Sequence, residues 1–211
     1  MMGPRFSEQM LTALREYIKK EISPDRASHI LAVEQTACEL AQIYCPERVD
    51  TVRAAALLHD VTKELSIEEH IGILARFNID KDEYAPATMH AMTASLVIPE
   101  RFPEFYDDEI VGAVRYHTTG KPDMTLIEKI IYLADYIEPT RKFEGCRRLR
   151  AAFFGVDIDR MSQSERERHL DEVILKSLEQ TLGYLSENGG KISPDTQSAL
   201  EYLVQKLNDK R

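Results

Sequence analysis

The sequence predicts an all-α fold, a single compact multi-helix unit, and three observations predict it. Apolar residues recur at helical spacing along the chain, no run reads as a hairpin or a βαβ unit, and helix start and stop signals punctuate the chain. There is no internal repeat, low-complexity stretch or long linker, and 211 residues are enough for one sizeable core.

A first helix is expected over Glu8–Ile22, with Leu11, Leu14, Ile18 and Ile22 on one face. Ser23-Pro24 supplies an N-cap followed by proline at the first helical position, opening a second helix that Cys45-Pro46 closes. Asp50 is expected to cap a third helix that carries TVRAAALLHD. Ser66 and Glu69 have capping-box spacing before IEEHIGILARF, and Asn78 fits its stop. Further helices are expected around Thr88–Val97, Asp107–Tyr116 and Leu126–Glu138, the last with Thr125 and Glu128 in capping-box spacing and Pro139 at its end. Two closing helices, about Glu165–Glu187 and Pro194–Asn208, flank Gly189-Gly190 and a Ser193-Pro194 start signal. The core is expected over about residues 20–190, with the first and last helices packed on it.

Composition narrows the function. A net charge of -9 argues against sequence-independent binding to nucleic acid, which uses broad basic surfaces, but not against a small phosphorylated ligand. The apolar runs are far shorter than a membrane span, and MMGPRFSEQM lacks the apolar stretch of a secretory signal. Cys38, Cys45 and Cys146 are odd in number and form no CxxC pair. A cytoplasmic protein without a disulfide framework is expected.

Polar residues on inward faces carry the most information. His59 lies four residues after Ala55 and seven after Val52, and Asp60 four after Ala56. His117 follows Ile110, Ala113 and Val114 at helical spacing; His90 shares a face with Ala94 and Val97; His29 shares one with Val33, Leu40 and Tyr44. Asp135 follows Ile127 and Ile131 in an otherwise apolar helix. An unpartnered buried polar group costs on the order of 2–7 kcal/mol. A lone inward histidine is more often a hydrogen-bonded core residue than a ligand, and an isolated HD dipeptide is common by chance. Six such groups on five helices point instead to one shared partner, and imidazole with carboxylate suits a divalent transition metal. His70 and His169, set among charged residues, are expected to be exposed and outside this group.

The pieces Arg26-Ala27-Ser28-His29, His59-Asp60-Val61-Thr62-Lys63, His90, Tyr116-His117-Thr118-Thr119-Gly120 and Ala134-Asp135-Tyr136-Ile137-Glu138-Pro139-Thr140-Arg141 together resemble the HD superfamily of metal-dependent phosphohydrolases. More narrowly they resemble its YqeK family, the HD-type symmetrical diadenosine tetraphosphate hydrolases. Ser193-Pro194-Asp195-Thr196 fits the same pattern, so the likeness runs from about Arg5 to Leu207. The resemblance implies one HD domain across residues 1–211 and a pair of metal ions. His29, His59, Asp60 and Asp135 would hold one ion, with His90 and His117 on the second and Asp60 between them. It implies iron; the ligand set also suits manganese or cobalt.

In that reading a water between the ions is the nucleophile. Asp60 and Lys63 are the catalytic candidates, Lys63 placing positive charge at the departing oxygen. Arg26 and Arg141 would clamp phosphate, His90 would border the substrate, and Thr118, Thr119 and Gly120 would offer hydroxyl or backbone donors. Arg147 and Arg148 are close enough in sequence to reach a polyphosphate too. The expected partner is a dinucleoside polyphosphate, with ADP or GDP as a product-like ligand, and a homodimer is open. Two other readings compete: a different HD nucleotidase or phosphodiesterase, and a non-catalytic nucleotide-binding metal module. A ferritin-like carboxylate bundle would need paired Glu-x-x-His motifs, and the sequence has none.

Overall fold

Helix capping is met at the first boundaries. The computed structural model describes residues 4–209, so the first three residues of the stretch read for a secretory signal lie outside it. Ser7 caps α1 (Glu8–Glu21) by accepting from the Met10 amide, and the helix buries Leu11, Leu14 and Ile18. Ser23 caps α2 (Pro24–Tyr44) through the Arg26 amide, with proline in the first turn where its missing N–H costs nothing.

A short 3-10 turn at Pro46–Arg48 leads into α3 (Val49–Leu58), which has no side-chain cap. Asp50 does not cap it: its Oδ2 accepts instead from the Phe6 amide at 2.7 Å, tying the N-terminal segment to α3. Nor does α3 reach the HD pair. It ends at Leu58, and residues 59–64 continue as successive turns, with the Lys63 amide donating to the Asp60 carbonyl at 2.9 Å.

The Ser66–Glu69 capping box opens α4 (Ile67–Arg76), and Asn78 stands beyond its end at φ 55°, the left-handed position that stops a helix. α5 (Met89–Arg101) runs through Pro99, past the end expected at Val97. Asp107 caps α6 (Asp108–Tyr116) by accepting from the Glu109 and Ile110 amides. The Thr125–Glu128 capping box opens α7 (Leu126–Ile137).

One helix, α8 (Glu144–Phe154), is absent from the sequence expectations. It has no side-chain cap, carries Gly145 in its first turn and buries only Cys146, Leu149 and Phe153, so neither start signal nor broad apolar stripe marks it. A third capping box, Ser162–Glu165, opens the long α9 (Gln163–Glu187), and α10 (Pro194–Asp209) closes the chain. Among the described residues there are ten α-helices and no strand.

The centre of the bundle is α2 and α7, with α2 packed on α3 and α7, and α7 also against α6 and α9. Ile30, Val33, Leu57, Leu58, Ile110, Ile130 and Ile131 fill the core and are fully buried. α5 packs on α6, and α9 holds α8 and α10. This arrangement brings the N-terminal turns of α2 and α5 and the C-terminal ends of α3, α6 and α7 around one buried polar cluster.

Candidate metal centre

His59 and His117 are placed by the same local device. Each is the residue just after a helix, α3 or α6, and each turns its ring back so that Nδ1–H donates to the carbonyl three residues earlier. The distances are 2.6 Å to Ala56 and 2.7 Å to Val114. That bond fixes the tautomer and leaves Nε2 as the free lone pair. His29, from the second turn of α2, is oriented by Glu138, whose Oε1 lies 3.1 Å from its Nδ1. His90, at the start of α5, brings Nε2 to 3.2 Å from His117 Nε2.

The carboxylates sit between these rings. Asp60 Oδ2 lies 3.5 Å from His59 Nε2 and 3.9 Å from His29 Nε2, whereas Oδ1 faces His90 at 3.3 Å and His117 at 3.6 Å. Asp135 Oδ1 lies 2.9 Å from His29 Nε2 and 3.9 Å from His59 Nε2. All six side chains predicted from inward faces therefore converge, and none is more than 9% exposed.

Two overlapping triads have their donor atoms within 4.8 Å of one another: His29, His59 and Asp135, and His59, Asp60 and His117. The donors fit a cation. His59 Nε2 and Asp60 Oδ1 are buried and make no hydrogen bond, the state of groups whose partner is not a protein atom, while His29 Nε2 meets the Asp135 carboxylate. Nitrogen and oxygen donors in this proportion suit iron, manganese, cobalt or zinc.

The electrostatics agree. Burial opposes charge on Asp60, but the surrounding His59, His117 and His90 outweigh it and hold the carboxylate well below its ordinary range. Asp135 is held low against the same burial by Arg141, His29 and His59. Burial pushes His59 down to about 4, so its ring is neutral and able to coordinate. His29 differs: burial works against its charge, but Asp135 and Glu138 beside it raise it to about 9. An ion entering here would displace that proton.

Cations rim the cluster. Arg26 Nη1 lies 2.7 Å from Asp60 Oδ2, Arg141 Nη2 lies 2.5 Å from Asp135 Oδ1, and Lys63 Nζ lies 3.2 Å from the His90 ring. A cleft of about 800 Å³ opens on this side. Asp60, Lys63, His90, His117, Asp135, Arg26, Arg141 and Thr118 all line it. Thr118 Oγ1 is buried without a partner. Arg148 lines the cleft and Arg147 does not.

Thr119 and Gly120 do not line it. Thr119 is buried, its hydroxyl donating to the Gly120 carbonyl, and Gly120 at φ 64° packs toward Ala199, Leu178 and Met124 as the stop of α6. The expected exposure of two histidines is also corrected. His70 is buried, with Nδ1 2.8 Å from Thr93 Oγ1, and His169 is half-buried, stacked on Phe153 with Nε2 3.0 Å from the Phe153 carbonyl. Neither belongs to the cluster.

Glu138 is the residue whose role the sequence pattern leaves unassigned. It is fully buried, bonded to His29 and to the Thr140 hydroxyl and amide. An acid one residue past a helix end, followed by Pro139 and Thr140, was the available signal. A second layer lies behind His90, where the Thr62 hydroxyl donates to the His90 carbonyl at 2.9 Å and meets Thr93 at 3.0 Å.

Residues 26–140 match the family described as HD domain. The chain is 32% identical over 191 residues to a Bacillus subtilis protein named symmetrical bis(5'-nucleosyl)-tetraphosphatase, covering 89% of this chain and 94% of that one. A Halalkalibacterium halodurans protein of the same name is 30% identical over 192 residues, covering 90% and 94%. Among solved structures, a Clostridium acetobutylicum protein described as a predicted HD superfamily hydrolase involved in NAD metabolism superposes with a TM-score of 0.76. It is 30% identical, over 92% of this chain and 97% of that one.

Proposed function

Because the chain belongs to the HD-domain family, and within it to the group of the symmetrical bis(5'-nucleosyl)-tetraphosphatases, we propose that it is a metal-dependent hydrolase that cuts diadenosine tetraphosphate into two molecules of ADP. The observation that carries this reading is one cleft holding both a buried His–Asp cluster and four cations, Arg26, Lys63, Arg141 and Arg148. An acidic protein thereby presents a local site for polyphosphate.

We assign His29, His59, Asp60 and Asp135 to one ion, and His90 and His117 to a second, with Asp60 shared. The opposite directions of the two Asp60 oxygens favour that division. Iron is our choice of metal, with manganese and cobalt compatible with the same donors. When bound, the ions supply Lewis acidity toward water and phosphate oxygen.

The chain's own groups supply the rest. Arg26 pairs with Asp60, Arg141 holds Asp135 ionised, and both keep further N–H groups for phosphate oxygens. Lys63, on the turn after Asp60, offers positive charge where the departing ADP oxygen develops its own. Burial lowers its ammonium pKa, with Asp60 opposing that shift. ADP is a stable anion as it leaves, so charge at that oxygen matters more than a proton donor. Glu138 keeps the His29 ring turned so that Nε2 faces the cluster. The chain acts as one domain, α10 being fastened to α9 and α7 by ion pairs from Asp171. We place it in the cytoplasm: no described helix is long and apolar enough to cross a membrane, and its three cysteines are free.

The test is regiochemical. Metal-loaded protein incubated with diadenosine tetraphosphate and sampled at early times should give ADP as the sole nucleotide product. Initial ATP with AMP, or an intact dinucleotide beside rapid hydrolysis of a deoxynucleotide, would overturn the assignment.

A further inference from the structure

The cleft extends beyond the His–Asp cluster onto the start of α8 and the last turns of α9, where two aromatic side chains, Phe143 and Tyr184, join a lining that also holds Arg148 and Glu187. Phe143, immediately before α8, is 73% exposed, and Tyr184 on α9 is 66% exposed. Scattered exposed apolar residues are ordinary, but these two are the most exposed large hydrophobic side chains among the described residues, ahead of Tyr106 at 49%, and both line the cleft. The remaining exposed large hydrophobics do not line it.

Gln180 stands four residues before Tyr184, so the two share one face of α9. Its amide makes no hydrogen bond with any described residue and rests against Gly145, where an added Cβ would come within 2.7 Å of Gln180 Oε1. Glycine in the first turn of α8 thus leaves room for a polar donor and acceptor inside the cleft. Two exposed aromatic side chains and a free amide, in one cleft with a metal and cation site, are the parts a nucleobase needs: π-faces for stacking and one group for its edge.

We propose that the part of the cleft lined by α8 and α9 is a nucleobase subsite, with Phe143 and Tyr184 stacking on the base and Gln180 bonding its edge. This rests on the nucleotide-hydrolase reading, whose metal and phosphate contacts lie in the same cleft. It assigns to α8 and α9, both outside residues 26–140, the recognition of the substrate's nucleoside.

Calorimetric titration of the metal-loaded protein tests it, with ADP and inorganic pyrophosphate as the probes. Phe143→Ala and Tyr184→Ala should each weaken ADP binding on the order of tenfold, whereas Phe143→Tyr and Tyr184→Phe should retain it. Pyrophosphate, which has no base, should bind all variants alike, and metal content should not change. Because both side chains are mostly exposed, the substitutions leave the core intact. Gln180→Leu should alter the ratio of ADP to GDP affinity; an unchanged ratio removes Gln180 from the subsite. ADP affinity unmoved in the double alanine variant, or pyrophosphate affinity falling equally, overturns the proposal. The titration also separates the two readings. Wild type that binds ADP through its aromatics yet leaves diadenosine tetraphosphate intact keeps the base subsite and sinks the hydrolase. Wild type that cleaves it, with alanine variants binding ADP unchanged, does the reverse.

Discussion

Asp60 is surrounded more completely than any other acid of the cluster. One oxygen meets Arg26 and faces His59, while the other faces His90 and His117 and makes no hydrogen bond. Lys63 is only three residues further on, but it touches the cluster through the His90 ring alone. The two should therefore separate on substitution. Asp60→Ala should abolish turnover and cut bound metal, whereas Lys63→Ala should lower kcat by roughly 10²–10³ with metal content near wild type, as loss of one stabilising charge does. Parallel losses of metal and rate in Lys63→Ala would make it a structural partner of His90 instead. At this scale the six inward groups were legible because helical spacing alone puts them among apolar neighbours. Glu138 was not, since a residue beyond a helix end has no periodic face to betray its burial. His70 misled for a different reason: Glu69 and Ile71 flank it, but Leu74, one turn later, marks the buried face that it shares.

Helix starts were readable at two capping boxes. Ser66–Glu69 and Thr125–Glu128 each form both bonds of a capping box, and the helices begin where those pairs place them, whereas Ser162–Glu165 opens α9 at Gln163, two residues ahead of the expected Glu165. α3 and α8 begin without a capping side chain, and there the sequence expectation failed: Asp50 went to Phe6, and α8 was passed over. How α7, α9 and α10 are fastened was also illegible, because it depends on residues remote in sequence. Asp171 on α9 is buried between Lys129 of α7 at 2.6 Å and Lys206 of α10 at 2.8 Å. Removing the acid leaves two ammonium groups facing each other, so Asp171→Ala should cost about 3–5 kcal/mol in urea unfolding. The apolar set Lys129→Met, Asp171→Leu and Lys206→Met should recover most of that loss. A single variant as stable as wild type would show that the triad contributes nothing net.

Across the whole molecule the buried cluster sets a conflict between function and stability. The core closes around six polar side chains supplied by α2, α5, α7 and the turns after α3 and α6, and two of their donor atoms, His59 Nε2 and Asp60 Oδ1, make no hydrogen bond. Each unpartnered buried group costs about 1–3 kcal/mol, a large share of the 5–15 kcal/mol that holds a domain folded. Bound ions would remove that cost and add the free energy of binding to the folded state alone, about 4 kcal/mol when free metal stands at a thousand times its Kd. For a chain of this size each kcal/mol moves Tm by about 2–4 °C. Chelation should therefore lower Tm on the order of 10 °C, and readdition of iron or manganese should restore it. Asp60→Ala should lose most of this metal-dependent increment, because it removes the oxygens that face both triads. The exposed Tyr184→Ala should keep all of it, since Tyr184 is not among the proposed ligands. Scanning calorimetry with and without chelator decides the matter: a Tm indifferent to metal in the wild type would mean that the cluster satisfies itself through protons, with His29 charged between Asp135 and Glu138, and that the ligand assignment is wrong.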